Sequence, residues 1–272
     1  MYLEYYGLVE YPFHVTPNPR FVFWTNQHRD ALDHLLYGIN QRKGFIQLTG
    51  EVGTGKTTLC RACLEQLGDD VKTALVINPF LSPAQLLRAL INDFGLTADQ
   101  DDMLSCTETL NQFLLNQYES GRNVVVFIDE AQNLPMAAME HVRLLSNLET
   151  DDTKLLQVVL CGQPELAERL AGPELRQLRQ RISVRYRLES LDERDMCRYI
   201  AHRIAVAANG NDPGVSFTDA ALWLIYAQSK GCPRLVNALV DHALLAGYVA
   251  RQHTITEGCV RRAIQQLQGE PS

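Results

Sequence analysis

The chain lacks an uninterrupted apolar run long enough to cross a bilayer; its best candidate, residues 236–250, is broken by Asp241 and His242. Any work at a membrane is therefore expected from outside the lipid or through a partner. No basic segment precedes an apolar one at the N-terminus, where Glu4 and Glu10 lie instead, which argues against a secretory signal. Positive charge is in deficit as well. With 25 Lys and Arg against 32 Asp and Glu, the net charge of -7 gives no support to a surface that coats nucleic acid, although a local basic patch stays open. The 7 cysteines are odd in number, scattered, and preceded by no signal segment, so reduced cytosolic thiols are expected rather than a disulfide framework. Cys60 and Cys63 fall three apart without nearby partner ligands for a metal, and they read as core thiols. Internal repeats and low-complexity segments are missing too.

What is present is a globular composition, 46% apolar and 21% charged over 272 residues, enough for one large domain or two modest ones. One stretch organises it. Residues 50–57, GEVGTGKT, match the phosphate-binding pattern GxxxxGK[ST] at every fixed position. An apolar run over 44–49 reads as a buried strand before it, and 58–64 reads as a helix starting after it. Glycine at Gly50, Gly53 and Gly55 lets backbone N–H groups approach phosphate closely, at a helix N-terminus whose dipole favours anions. The expected nucleotide-binding set is Gly50, Glu51, Val52, Gly53, Thr54, Gly55, Lys56, Thr57 and Thr58. Lys56 reaches the β- and γ-phosphates in such a loop, and the Thr57 hydroxyl serves magnesium. The chain is read as binding a nucleoside triphosphate.

The aromatic and proline-rich residues 1–25 are expected to lie extended along the core with their rings buried. A helix over 26–40 follows, and either it or the arm is a candidate for contact with the base, with plain packing the alternative for any single ring. Residues 73–77 read as a strand ending at Asn78-Pro79, and Ser82-Pro83 opens a helix with a serine cap and proline at its first position. A helix over 108–118 comes next. The continuous apolar run 124–128 delivers Asp129 and Glu130 at the C-terminal end of a buried strand, where ligands of parallel α/β sheets bind. An aspartate there can hold magnesium, and the glutamate beside it can orient or deprotonate water, which suggests hydrolysis as well as binding. After a helix over 135–148, the strand 155–160 is expected between the phosphate-loop strand and the Asp-Glu strand, bringing Gln163 near the γ-phosphate. A helix over 174–181 and a strand over 183–188 complete the α/β part.

From Arg176 to Arg203 the chain carries eight arginines and no lysine, a pattern suited to phosphate and carboxylate recognition at an interface. Beyond residue 190 the pattern turns helical: 192–208, a loop over 209–214, 218–228 capped by Thr218, a helix from about Gly231-Cys232-Pro233-Arg234 to residue 250, and 256–268.

The order of these features resembles an AAA+ ATPase, and within that superfamily the ExeA type of the general secretion pathway and its shorter relatives of type IV pilus (MSHA) biogenesis, the MshM type. The resemblance rests on YYGLVEYPF, GFIQLTGEVGTGKTTLCR, FIDEAQNL, RLLSNLET, LCGQPEL, LRQRI and GCPRLVN, which span nearly the whole chain. It implies an α/β P-loop AAA+ fold with a five-stranded parallel sheet over residues 1–189, the N-terminal arm included, and a small all-helical lid over 190–272. It implies ATP and Mg2+ as ligands, with Lys56 on phosphate, Thr57 and Asp129 on the metal, Glu130 activating water and Gln163 as first sensor. Arg234 would be the second sensor. Arg181 would be the finger reaching a neighbouring copy, with Arg176 and Arg179 as rivals, and Asn78 would restrain Glu130 until assembly.

The same resemblance implies a nucleotide-dependent homo-oligomer working with secretion or pilus assembly proteins, in the cytoplasm or at the inner membrane through those partners, with DNA not expected. ExeA itself is expected to continue into a membrane span and a periplasmic part. This chain ends in polar residues 269–272, as a short pilus-associated form or a cut longer one would, and the self-contained last helix agrees better with the first. A nucleic-acid-binding ATPase adaptor of the TnsC or TniB kind is the competing reading, and a nucleotide-gated switch that barely turns over is a third.

Overall fold

The computed structural model describes residues 2–14, 18–77, 79–100, 102–149 and 153–268. Helices α1 (Tyr2–Tyr5) and α2 (Asn26–Asn40) lead into strand β1 (Phe45–Gly50) and helix α3 (Lys56–Gln66). Strand β2 (Val71–Val76), helices α4 (Pro83–Asp93) and α5 (Met103–Glu119), and strand β3 (Asn123–Ile128) follow. Next come helix α6 (Met136–Leu145), strand β4 (Gln157–Gly162), helices α7 (Pro164–Ala171) and α8 (Arg176–Arg181), and strand β5 (Ile182–Leu188). The remainder is α9 (Glu193–Ala208), β6 (Ser216–Phe217), α10 (Asp219–Ser229), α11 (Pro233–Val249), β7 (Thr254–Ile255) and α12 (Glu257–Gln268).

The chain packs into two units, one of Gln27–Gly50 and Lys56–Leu188, the other of Met1–Asn26, Glu51–Gly55 and Glu189–Ser272. The first is built on a five-stranded sheet in the order β2-β3-β4-β1-β5, with every neighbouring pair parallel. Strand β4 thus lies between β1 and β3, as the sequence leads one to expect. All six positions of β1, β3 and β4 are buried, which is why their sequences are apolar on both faces instead of alternating. The pairs Val76 with Ile128, Ile128 with Leu160 and Thr49 with Gly162 set the strand ends level. The loops after β1, β3 and β4 therefore leave the sheet at one edge.

Caps place the flanking helices. Ser82 accepts from Gln85 N, Gln85 Oε1 accepts from Ser82 N, and Pro83 occupies the first helical position, so α4 starts as anticipated. Helix α5 begins at Met103 and not at residue 108, because Asp102 caps it by accepting from Ser105 N.

The second unit has its own apolar core, in which Tyr6, Phe13 and Phe21 of the N-terminal arm join Met196, Ile225, Val236 and Val240 from the helices. This corrects the placement of the arm with the α/β domain. Its rings are buried among helices contributed by the other end of the chain. Tyr6 Oη donates to the carbonyls of Leu244 and Gln252. Tyr2 Oη donates to Asp241 at 2.5 Å. The buried Arg203 donates from Nε to Pro12 O and from Nη1 to Tyr199 Oη, with its guanidinium over the rings of Phe13, Phe21 and Tyr199. The arm also contains the short helix α1 instead of being extended throughout. The unit is not all-helical either: β6 and β7 pair in parallel, Ser216 with Thr254 and Phe217 with Ile255, and bury Ile255.

Candidate functional site

The phosphate-loop sequence leaves β1 at Gly50 and becomes α3 at Lys56. Gly53 and Gly55 take φ of 81° and 101°, a region an L side chain rarely adopts. Between them Thr54 is buried and turns the loop by donating from Oγ1 to Glu51 O at 2.9 Å. Lys56 is only 5% exposed, and its Nζ donates to Gly50 O at 2.7 Å, which directs the ammonium back across the loop. Beneath it, Leu59, Cys60 and Cys63 anchor α3 in the interior, with burial pushing the Cys63 thiol up to about 12.

Residues Glu51–Gly55 pack with the helical unit. Cys232 Sγ donates to Val52 O at 3.1 Å, and a Cβ added at Gly53 would stand 2.5 Å from Arg234 Cβ. Gly53 is therefore required twice, for its backbone angle and for the close approach of Arg234 at the start of α11.

Strand β3 delivers the two carboxylates. Asp129, 4% exposed, is fixed by its N–H to Val76 O at 2.9 Å; its Oδ2 accepts from Thr57 Oγ1 at 2.6 Å and its Oδ1 from Glu130 N at 2.9 Å. A hydroxyl and a carboxylate held together form a hard-oxygen pair of the kind that Mg2+ selects, so these residues fit the expected metal. Glu130 takes left-handed backbone angles, φ 50° and ψ 38°, which turn its side chain away from the line of the strand. Its Oε2 accepts from Gln132 Nε2 at 2.5 Å and from Gln163 Nε2 at 3.0 Å. Burial works to raise the Glu130 pKa, but the hydrogen bonds from Gln163 and Gln132 and the charge of Lys56 outweigh it, so the carboxyl lies below its ordinary range.

Lys56, Thr57, Asp129, Glu130 and Gln163 thus meet at the C-terminal edge of the sheet. Gln132, in FIDEAQNL, escaped the sequence reading although it touches both Glu130 and Gln163; the only available signal was its place in that stretch. Arg181 lies elsewhere. Phe45 pairs with Ile182 where β1 starts, and Gly50 pairs with Leu188 where it ends. Arg181 therefore stands at the opposite end of the strands, about 17 Å from the phosphate loop at ordinary strand rise. Its Nη1 donates to Ser146 Oγ at 3.0 Å. Arg176 and Arg179 are exposed on the same helix, and Arg179 Nη1 donates to Ala171 O at 3.3 Å. Asn78 lies outside the described residues.

The β2-β3-β4-β1-β5 parallel sheet with a phosphate loop after β1 and an acidic pair after β3 is the AAA+ P-loop fold. Residues 39–170 match the family described as AAA domain. The chain is 42% identical over 270 residues to general secretion pathway protein A of Aeromonas hydrophila, an alignment covering 99% of this chain and 49% of that protein. It is 24% identical over 250 residues to Holliday junction branch migration complex subunit RuvB of Chlorobaculum parvum, covering 91% of this chain and 62% of the relative. The chain thus spans about half the length of the first relative and under two thirds of the second. The structure of Drosophila ORC bound to DNA shares the fold with a TM-score of 0.71 at 17% identity, over 98% of this chain and 66% of that one. Among the described residues, no helix is long and apolar enough to cross a membrane.

Proposed function

We propose that this chain is a magnesium-dependent ATPase whose turnover is governed by assembly with further copies, and that it drives or regulates a bacterial secretion or type IV pilus (MSHA-like) apparatus. The observation that carries the chemistry is the Glu130 carboxylate, held by Gln163 beside Asp129, which bonds Thr57 of the phosphate loop. Backbone N–H groups of residues 50–58 and the Lys56 ammonium hold the triphosphate. Thr57 and Asp129 would hold Mg2+, which would supply positive charge to offset that of the bound triphosphate. Glu130 orients the attacking water and takes its proton, and Gln163 contacts the γ-phosphate side of the site. Arg234, packed on the loop at Gly53, acts as the second sensor of that nucleotide.

Arg181, distant from its own phosphate loop, is assigned to the nucleotide of a neighbouring copy, with Arg176 and Arg179 as the rival residues. An arginine supplied across an interface accelerates phosphoryl transfer by about three to five orders of magnitude, so an isolated copy is slow. The likeness to general secretion pathway protein A supports work with secretion proteins; the place assigned to the chain, peripheral to the inner membrane, belongs to the proposal. The test is phosphate release from ATP as protein concentration rises, with magnesium and after chelation by EDTA. Specific activity should rise with concentration and vanish with EDTA; flat specific activity across the association range removes the cross-copy arginine. The likeness to RuvB supports a second reading, an ATPase that acts on nucleic acid. The net charge of -7 counts against it, and stimulation of turnover by DNA at physiological salt would promote it.

A further inference from the structure

The mechanism above leaves Gln132 without a role, although its side chain is committed at both ends. Its Nε2 donates to Glu130 Oε2 at 2.5 Å, and its Oε1 accepts from Gln163 N at 3.0 Å. One amide offers a donor end and an acceptor end, and using both on partners 33 residues apart, Glu130 and Gln163, fixes the plane of the group. The backbone below is clamped as well: Arg169 of α7 donates from Nη1 to Gln132 O and from Nη2 to Leu134 O, the latter at 2.8 Å. Strand β4 leaves room for the amide by ending in Gly162, where an added Cβ would stand 2.6 Å from Gln132 Oε1. A half-buried glutamine that needed only a hydrogen-bond partner would turn to water, since holding its side-chain torsions sacrifices rotamer freedom.

We infer that Gln132 is a positioning residue for Glu130, setting the direction of its carboxylate and tying it to the tip of β4 from which Gln163 projects. The inference rests on the ATPase reading. Without Gln132 the carboxylate keeps the single donor from Gln163 and regains freedom to rotate, so it spends less time aimed at the water. Nucleotide binding depends on the loop backbone, Lys56 and Thr57, which Gln132 does not touch.

The test is a double-mutant cycle on the full chain with magnesium and ATP: native, Gln132→Ala, Glu130→Gln and the double variant. Gln132→Met, which keeps the volume and removes both hydrogen bonds, replaces alanine if alanine fails to fold. The expected result is a fall in kcat of about tenfold or more for the Gln132 variant, with KM and the affinity for a fluorescent ATP analogue within about twofold. In the Glu130→Gln background, removing Gln132 should change the residual rate by less than about twofold, because its effect passes through Glu130. A kcat within twofold of native, a rise in KM alone, or a full additional loss in the double variant overturns the assignment while leaving the ATPase reading intact. Equal rates for native and Glu130→Gln overturn both.

Discussion

The α/β unit and the helical unit bury apolar surface by different means. In the first, contiguous runs of β-branched and aromatic residues form strands whose register sets three loops at one edge, and the candidate site residues collect there. In the second, segments from opposite ends of the chain share one core, and long-range polar contacts bind them: Tyr2 to Asp241, Tyr6 to Leu244, Arg203 to Pro12. A local core makes a site readable from short motifs. A core assembled from both termini makes a scaffold whose parts are silent until they meet.

Both tryptophans, Trp24 and Trp223, belong to the helical unit, so their fluorescence reports on that unit while bound nucleotide reports on the phosphate loop. The largest expected effect comes from Phe127→Ala, fully buried one residue before the end of β3, with a loss of about 3–5 kcal/mol. Denaturant titration should show nucleotide binding failing well before the tryptophan signal moves. If the tryptophan transition falls by the same amount, the two cores are one cooperative structure.

Arg203→Met probes the other unit. It removes hydrogen bonds to Pro12 O and Tyr199 Oη and the cation over three rings, and should cost about 2–3 kcal/mol in the tryptophan-monitored transition. An unchanged midpoint would mean that Arg203 does not contribute to holding the arm. Tyr6→Phe leaves the Leu244 and Gln252 carbonyls without that hydroxyl and should lower the same transition by about 1–2 kcal/mol. Smallest is Ser82→Ala, which removes the α4 cap at a cost of about 1 kcal/mol, read in the nucleotide-monitored transition only.

The contrast explains what was legible in the amino acids. The phosphate loop, Asp129-Glu130 and the insertion of β4 were readable because each depends on neighbours in sequence and on a common strand direction. The sequence pattern starts helix α5 five residues late because its cap, Asp102, closes an acidic stretch over 99–102 that reads equally as a turn. No local pattern says which distant helices bury Tyr6 and Phe13, so the sequence alone leaves the arm beside the α/β core that follows it. The pair β6 and β7 is two residues long on each side, too short for alternation to register, and joins Ser216 to Thr254 across 38 residues. Gln132 went unnoticed for a related reason: one of its partners, Gln163, belongs to the next strand's exit and is adjacent only once the sheet is closed.

The proposed role of Glu130 is water activation for a triphosphate held by Lys56, Thr57 and the loop backbone. It is tested most directly by single-turnover hydrolysis of ATP, comparing native protein with Glu130→Gln at matched, saturating nucleotide occupancy. Binding should be equal and the rate lower by about two to four orders of magnitude in the variant. Equal binding with an equal rate would contradict that role.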